Sequence, residues 1–304
     1  MKTKHFTTLL LIAALFFCLP GCTFLYESRV EDPDTLQHLH YQAEQAESEG
    51  RYKAAAKAYG RLARAHSEKA NIAELYARRA KCQLLAGKIN PAKQSYEELL
   101  KAYPLYISYE QTVEELRQLA ECFENGKGTF LGLRDAHNAT DIYQTIVRET
   151  PAVHVSLKDR MKLAELLLKT DRQEEAANTY QGILKQDPEQ HEARLKFAEL
   201  LEKFSRQGDG DGRKLRAAAR EINTFLQKTQ TDHPDREKAE ALLLKVQNTA
   251  AARLLAQAKF YMLPRHKKDE AAKRYLVDLV REFPHTEAAV EAKQILEQKF
   301  QEQL

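Results

Sequence analysis

Along most of the chain, apolar positions recur at intervals of three and four, the spacing that places them on one stripe of an α-helix. One form of that stripe returns with fixed spacing. An alanine is followed after three residues by an aromatic or aliphatic side chain, after two more by an aliphatic one, and after four more by a proline. It occurs as Ala92, Tyr96, Leu99 and Pro104; as Ala139, Tyr143, Ile146 and Pro151; as Ala176, Tyr180, Ile183 and Pro188; and as Ala272, Leu276, Leu279 and Pro284. Ala55, Tyr59 and Leu62 begin a copy with Ser67 in place of the proline, and Ala218, Ile222 and Phe225 a weaker one whose proline comes late, at Pro234. Small alanine lets a neighbouring helix approach, the larger residues fill the seam, and proline stops the helix. Tyr59, Tyr96, Tyr143 and Tyr180 are therefore expected in the core.

A second amphipathic segment precedes each such helix. Ala43, Ala80 and Ala164 each lie twelve positions ahead of the alanine of the following helix, with a short turn such as Gly50-Arg51-Tyr52 or Gly87-Lys88-Ile89 between them. Helix, turn and helix make one antiparallel pair. Pairs of about 34 residues resemble the tetratricopeptide repeat, and the likeness covers residues 35–286. It implies an all-α superhelix, an α-solenoid of about six helix pairs. Thr286 to Gln303 reads as a C-terminal capping helix, which solenoids need at their ends. The chain departs from the repeat consensus in having no tryptophan. Insertions fall between the helices of the third and fifth units, around Glu124–Asn138 and Ser205–Lys214, and a long helix is expected from Asp235 to Tyr261.

The first residues follow another pattern. Lys2 and Lys4 precede an apolar run from Thr7 to Leu19, which as a helix reaches about 20 Å, short of a ~30 Å hydrocarbon core. Such a run reads as a secretion signal rather than a span. It ends in Leu19-Pro20-Gly21-Cys22, which resembles a bacterial lipobox, implying cleavage before Cys22 and lipid attachment to its thiol. The expected organisation is a signal at 1–21, a lipidated tether at 22–34 and the repeat array at 35–304. Thr23 follows the cysteine, rather than the aspartate that retains many enterobacterial lipoproteins in the inner membrane. The resemblance thus favours the periplasmic side of the outer membrane and leaves the inner membrane open.

Composition adds exclusions more than assignments. Lys and Arg number 47 against 44 Asp and Glu, and two of the 47 are Lys2 and Lys4, so the remaining chain is nearly neutral and offers no electrostatic case for nucleic acid. Cys82 and Cys122 each follow an alanine by two positions in equivalent helices of adjacent units. Helices packed about 8–10 Å apart leave such residues beyond the roughly 7 Å Cα limit of a disulfide, so two buried free thiols are expected. No metal site and no cofactor is expected. Gly126-Lys127-Gly128-Thr129 lacks the upstream glycine of a phosphate loop. His38 and His40 cannot chelate from one helix face, and Asp209-Gly210-Asp211-Gly212 has Ala218 where a calcium loop needs its distal glutamate.

What remains is a surface. In tetratricopeptide proteins the first helices of successive units line a groove that grips peptides or partner helices. The small-residue landmarks transfer that orientation to Glu44, Glu47, Lys81, Leu84, Glu114, Arg117, Glu121, Glu124, Lys158, Glu165, Lys169, Glu192, Glu199 and Glu202. Acid outnumbers base in this set, which suits an extended or basic segment, although ordinary solvated helix charges would look the same. A lipobox followed by such units is similar to the BamD/YfiO-type lipoproteins of outer-membrane protein assembly, most closely in LLAQAKFYML and DEAAKRYLVDLVREFPHT. That likeness implies a protein partner in the cell envelope, a barrel-assembly subunit. The competing expectation is a general envelope scaffold for division, polysaccharide export, pilus assembly or secretion. An enzyme with a dispersed site is the third, and the expectation is that the chain is not one.

Overall fold

The computed structural model describes residues 33–207 and 212–301. The leader, Cys22 and the Asp209–Asp211 loop thus lie outside the described residues. Within them run thirteen α-helices in antiparallel pairs. These are α1 (Pro33–Ser48) with α2 (Tyr52–Ala65), α3 (Lys69–Leu85) with α4 (Ile89–Ala102), and α5 (Tyr109–Asn125) with α6 (Ala136–Glu149). There follow α7 (Leu157–Lys169) with α8 (Gln173–Gln186), α9 (His191–Ser205) with α10 (Arg213–Lys228), and α11 (Arg236–Met262) with α12 (Asp269–Glu282). Helix α13 (Glu287–Phe300) closes the array, so the architecture is the all-α superhelix of six pairs and a cap that the spacing predicts. Its first helix begins at Pro33, two residues ahead of the expected 35.

The repeated positions do what their chemistry requires. Ala43, Ala55, Ala80, Ala92, Ala139, Ala164, Ala176, Ala218 and Ala272 are all wholly buried at helix crossings, and Tyr59, Tyr96 and Tyr180 are wholly buried beside them. Helices α4, α6, α8 and α12 each stop two residues before Pro104, Pro151, Pro188 and Pro284. Burying a large side chain contributes about 1.5–3 kcal/mol, and one unit presents only a few. The stack becomes stable by sharing them: one continuous core runs from Ala73 in α3 to Leu200 in α9.

The first helices of the first four units end alike. A residue in the left-handed conformation, Gly50, Gly87, Gly126 or Asp171, follows each. The next residue's amide then bonds back to the helix: Arg51 to Ala46, Lys88 to Gln83, Lys127 to Cys122 and Arg172 to Leu167. This is the Schellman closure, with Asp171 standing where three glycines stand. At Gly126 no other residue fits, because an added Cβ would meet the Gly132 oxygen at 2.1 Å. The insertion of the third unit is anchored there as a tight loop, residues 126–135, with a 3₁₀ turn at Phe130–Gly132.

The 27-residue α11 spans about 40 Å at 1.5 Å per residue and joins two cores. Ala239 and Val246 pack with α9 and α10, whereas Ala251, Leu255 and Ala258 pack with α12 and α13.

Candidate functional site

Antiparallel pairing puts all first helices on one side of the stack, and their polar residues are cross-linked there. Arg78 on α3 reaches back to α1, 2.9 Å from Glu44 and 3.5 Å from Glu47, with its guanidinium 4.9 Å from the centre of the Tyr59 ring. Lys81 on α3 faces Glu115 on α5 at 3.9 Å. Arg117 on α5 grips Asp159 on α7 with two parallel bonds of 2.8 Å. Glu124 on α5 holds Lys162 and Lys169 of α7 at 3.0 and 3.5 Å. Farther along, Lys238 and Lys245 of α11 reach Glu199 and Glu202 of α9 at 2.6 and 3.3 Å. Exposed pairs contribute about 0–1 kcal/mol each, so this ladder links neighbouring first helices while adding little to the stability of the fold.

One rung is stronger. The Asp159 side chain is 3% exposed and takes bonds from Arg117, the Ser156 hydroxyl and the Ser156 amide. Burial pushes its carboxyl up, but these donors outweigh that and hold it below the ordinary aspartate value. The second helices contribute hydroxyls to the same face: Tyr59 donates to Glu47 at 2.6 Å and Tyr96 to Glu115 at 3.0 Å.

Between α7 and α9 the ladder is interrupted. Glu165 and Glu192 make no ion pair, and Tyr180, the counterpart of Tyr59 and Tyr96, has a buried hydroxyl with no partner. Burial first, then Glu165, Glu192 and Glu199, push that hydroxyl's pKa up.

The largest gathering of expected residues lies one step earlier. Glu114, Arg117, Glu121, Glu124 and Lys169 line a cavity of about 490 Å³ with Gln118, Arg134, Tyr143 and Lys162. Leu84 and Glu121 share a neighbouring cavity of about 440 Å³ with Leu85, Gln118, Cys122 and Lys127. Glu44, Glu47 and Lys81 lie off these cavities toward α1, and Glu165, Glu192 and Glu199 toward α9. Lys158 is exposed in the first turn of α7 without an ion pair.

Several expectations change. Glu202 is 4% exposed and bound by Arg206 as well as Lys245, so it is no groove contact. The acidic excess also fails around the cavity, where Arg117, Arg134, Lys162 and Lys169 face Glu114, Glu121 and Glu124. The landmarks sampled a narrow stripe per helix, while Arg78 and Lys162 reach the face from the flanking positions and Arg134 from the inserted loop. Cys82 is buried as expected, but Cys122 is only half-buried, because it opens onto the second cavity. Sequence reading also missed an apolar concavity of about 710 Å³ along α11, lined by Ala241, Leu244, Ala252 and Ala256. Leu244, Asn248, Ala252 and Ala256 repeat every four residues, the signal that could have shown a second exposed face. Among the described residues no group of three His, Cys, Asp or Glu is placed to hold a metal ion, and no helix is long and apolar enough to cross a membrane.

Comparison with known proteins gives the repeat a name. Residues 76–106 and 160–189 match the tetratricopeptide repeat family model, the first reaching from α3 past α4 and the second from α7 past α8. No curated protein matches the chain. Among solved structures, the MamA protein is 15% identical over 66% of this chain and 99% of its own, with a TM-score of 0.32. YrrB, described as a TPR protein with an unusual peptide-binding site, is 16% identical over 73% of this chain and 92% of its own, with a TM-score of 0.33. The TPR2AB domain of yeast Sti1 in its pHSP90 complex is 12% identical over 86% of this chain and 99% of its own, with a TM-score of 0.28. At such identities and scores, none of the three informs the reading of this chain's own surface.

Proposed function

We propose that this chain is a protein-binding adaptor of the bacterial envelope, tethered by lipid on Cys22, whose first-helix face receives an extended segment of a partner protein. The observation that carries the reading is the convergence of Glu114, Arg117, Glu121, Glu124 and Lys169 on one open cavity, reached from residue landmarks alone. The partner's charge pattern follows from what the ladder leaves unpaired. Glu121, Glu165 and Glu192 are the carboxylates free to take Lys or Arg from a partner, while the paired positions fix the frame around them.

The location proposed is the periplasmic side of the outer membrane, and the partner proposed is an outer-membrane assembly subunit, as in the BamD/YfiO-type lipoproteins. A general envelope scaffold is the alternative. A photo-crosslinker at Gln118, which borders both cavities, tests the face in native membranes. A partner should be captured there, and Glu121→Lys with Glu165→Lys should reduce its yield severalfold. An unchanged yield would sink the groove. Recovery of a partner unrelated to outer-membrane assembly would leave the general scaffold; labelled palmitate should be incorporated into the parent chain and not into Cys22→Ser, and an unlabelled parent chain would remove the lipid tether.

A further inference from the structure

The two edges of the stack differ in charge. Because successive helices run antiparallel, every turn within a pair lies at one edge and every turn between pairs at the other. The described within-pair turns are 49–51, 86–88, 126–135, 170–172, 206–207 with 212, and 263–268; they hold nine Lys or Arg and three Asp or Glu. The between-pair turns 66–68, 103–108, 150–156, 187–190, 229–235 and 283–286 hold five Asp or Glu and no Lys or Arg. A near-neutral chain is thus polarised across its width.

Part of the basic bias is local. Arg51, Lys88, Lys127 and Arg172 follow the left-handed residue that closes a helix, where a cation complements the helix C-terminus. Arg51 and Arg172 are moreover tied to Glu49 and Glu175. Lys88, Lys127 and Arg134 make no ion pair and are exposed, and they surround a loop whose tip is apolar; on the opposite edge Leu105 is 89% exposed in a turn without Lys or Arg.

That loop is held by hydrogen bonds at its base and displays what a folded chain ordinarily hides. Phe130 and Leu131 are each 80% exposed and Leu133 63%. Leu131 sits at φ 54°, a conformation that is costly for a branched side chain. The Thr129 hydroxyl donates to the carbonyls of Gly126 and Leu133 at 2.8 and 2.7 Å, and the Asp135 amide donates to Phe123 at 2.9 Å. The loop also abuts the preceding turn, since an added Cβ on Gly128 would lie 2.9 Å from the Gly87 oxygen. Its one carboxylate, Asp135, is occupied in capping α6 through the Asn138 amide. An apolar tip flanked by Lys88, Lys127 and Arg134, the last two bordering cavities they share with Glu121, and with the loop's own carboxylate occupied, matches the boundary of an anionic bilayer, where apolar side chains enter the acyl region and Lys and Arg meet headgroups.

We propose that the 126–135 loop, with Lys88 beside it, is a membrane-contact site: Phe130, Leu131 and Leu133 enter the interface of an anionic lipid surface, and the basic edge turns toward it. This holds with or without an acyl chain on Cys22, which would add affinity rather than orientation. The opposite edge supplies a control, because Val153 is 85% exposed in a turn without a basic residue.

The chain has no tryptophan, so a single one reports cleanly. Full chains carrying Phe130→Trp or Val153→Trp are mixed with phosphatidylglycerol–phosphatidylethanolamine vesicles, with and without brominated acyl chains. Expected is a blue shift and bromine quenching at position 130 and neither at 153, with the response at 130 largely lost in phosphatidylcholine vesicles and in Lys127→Glu with Arg134→Glu. No response at 130, or an equal one at 153, overturns the contact; a response equal in neutral vesicles overturns its anionic character. Repeating the pair with Cys22→Ser separates this result from the tether, since the readout is the difference between two positions and not retention at the membrane.

Discussion

At the scale of single residues, the tyrosines show how one repeated position acquires different roles. Tyr59, Tyr96 and Tyr180 occupy equivalent places and are equally buried, yet only the first two hydroxyls donate to a carboxylate. A buried hydroxyl without a partner is a desolvation cost, whereas a bonded one contributes about 1 kcal/mol net. Tyr96→Phe should therefore lower stability by about 1 kcal/mol, since Glu115 keeps only Gln111 and the more distant Lys81. Tyr180→Phe should be neutral or stabilising. Urea melts of the two variants beside the parent decide it, and an equal loss in both would mean that the Tyr180 hydroxyl is bonded after all. The burial of these rings was legible from spacing alone. Their hydroxyl partners were not, because a partner on the facing helix depends on a register that no single helix encodes.

Among the elements, the start of α7 concentrates the most chemistry. Ser156 and Asp159 form a reciprocal capping box, and the same Asp159 is the rung that Arg117 of α5 holds from across the face. Its pKa lies below the ordinary carboxylate value near ~4. It therefore contributes stability above that value, which is lost as pH falls through the depressed one. Asp159→Asn should cost about 2–3 kcal/mol at neutral pH, because a largely buried charge-assisted pair and a cap weaken together. The difference from the parent should shrink toward acid; melts at pH 7 and pH 3 measure it, and a constant difference would refute the role of the ionised carboxylate. Helix ends were legible where proline or glycine marks them, as at Pro104, Pro151, Gly50 and Gly87. Asp171 escaped notice because its left-handed geometry is imposed by the equivalent turn and not by its own side chain. The inserted loop was visible as an interruption, but its apolar tip was not, since exposure is a property of the packed stack.

For the whole molecule, the periodicity disclosed pairs, their number and their end. It did not disclose the charge balance of the face they form, because Arg78, Lys162 and Arg134 arrive from positions outside the expected stripe. It also hid the contrast between the two edges, which cancels in any sum over the chain. The cross-helix ladder has a mechanical meaning. Each rung is a tie between neighbouring coils of a spring, from α1 to α7 and again from α9 to α11, with a slack coil at α7–α9 where no tie exists. Ties made of exposed charges weaken as the screening length falls from about 10 Å at 0.1 M salt to about 3 Å at 1 M. The array should accordingly lengthen with ionic strength while its helix content stays constant. Small-angle scattering across that range, paired with circular dichroism, would register an increased radius of gyration; an unchanged radius would show the packed alanine seams alone to set the pitch. A spring of this kind would let the proposed groove adjust to a partner, most readily at the slack coil beside Tyr180.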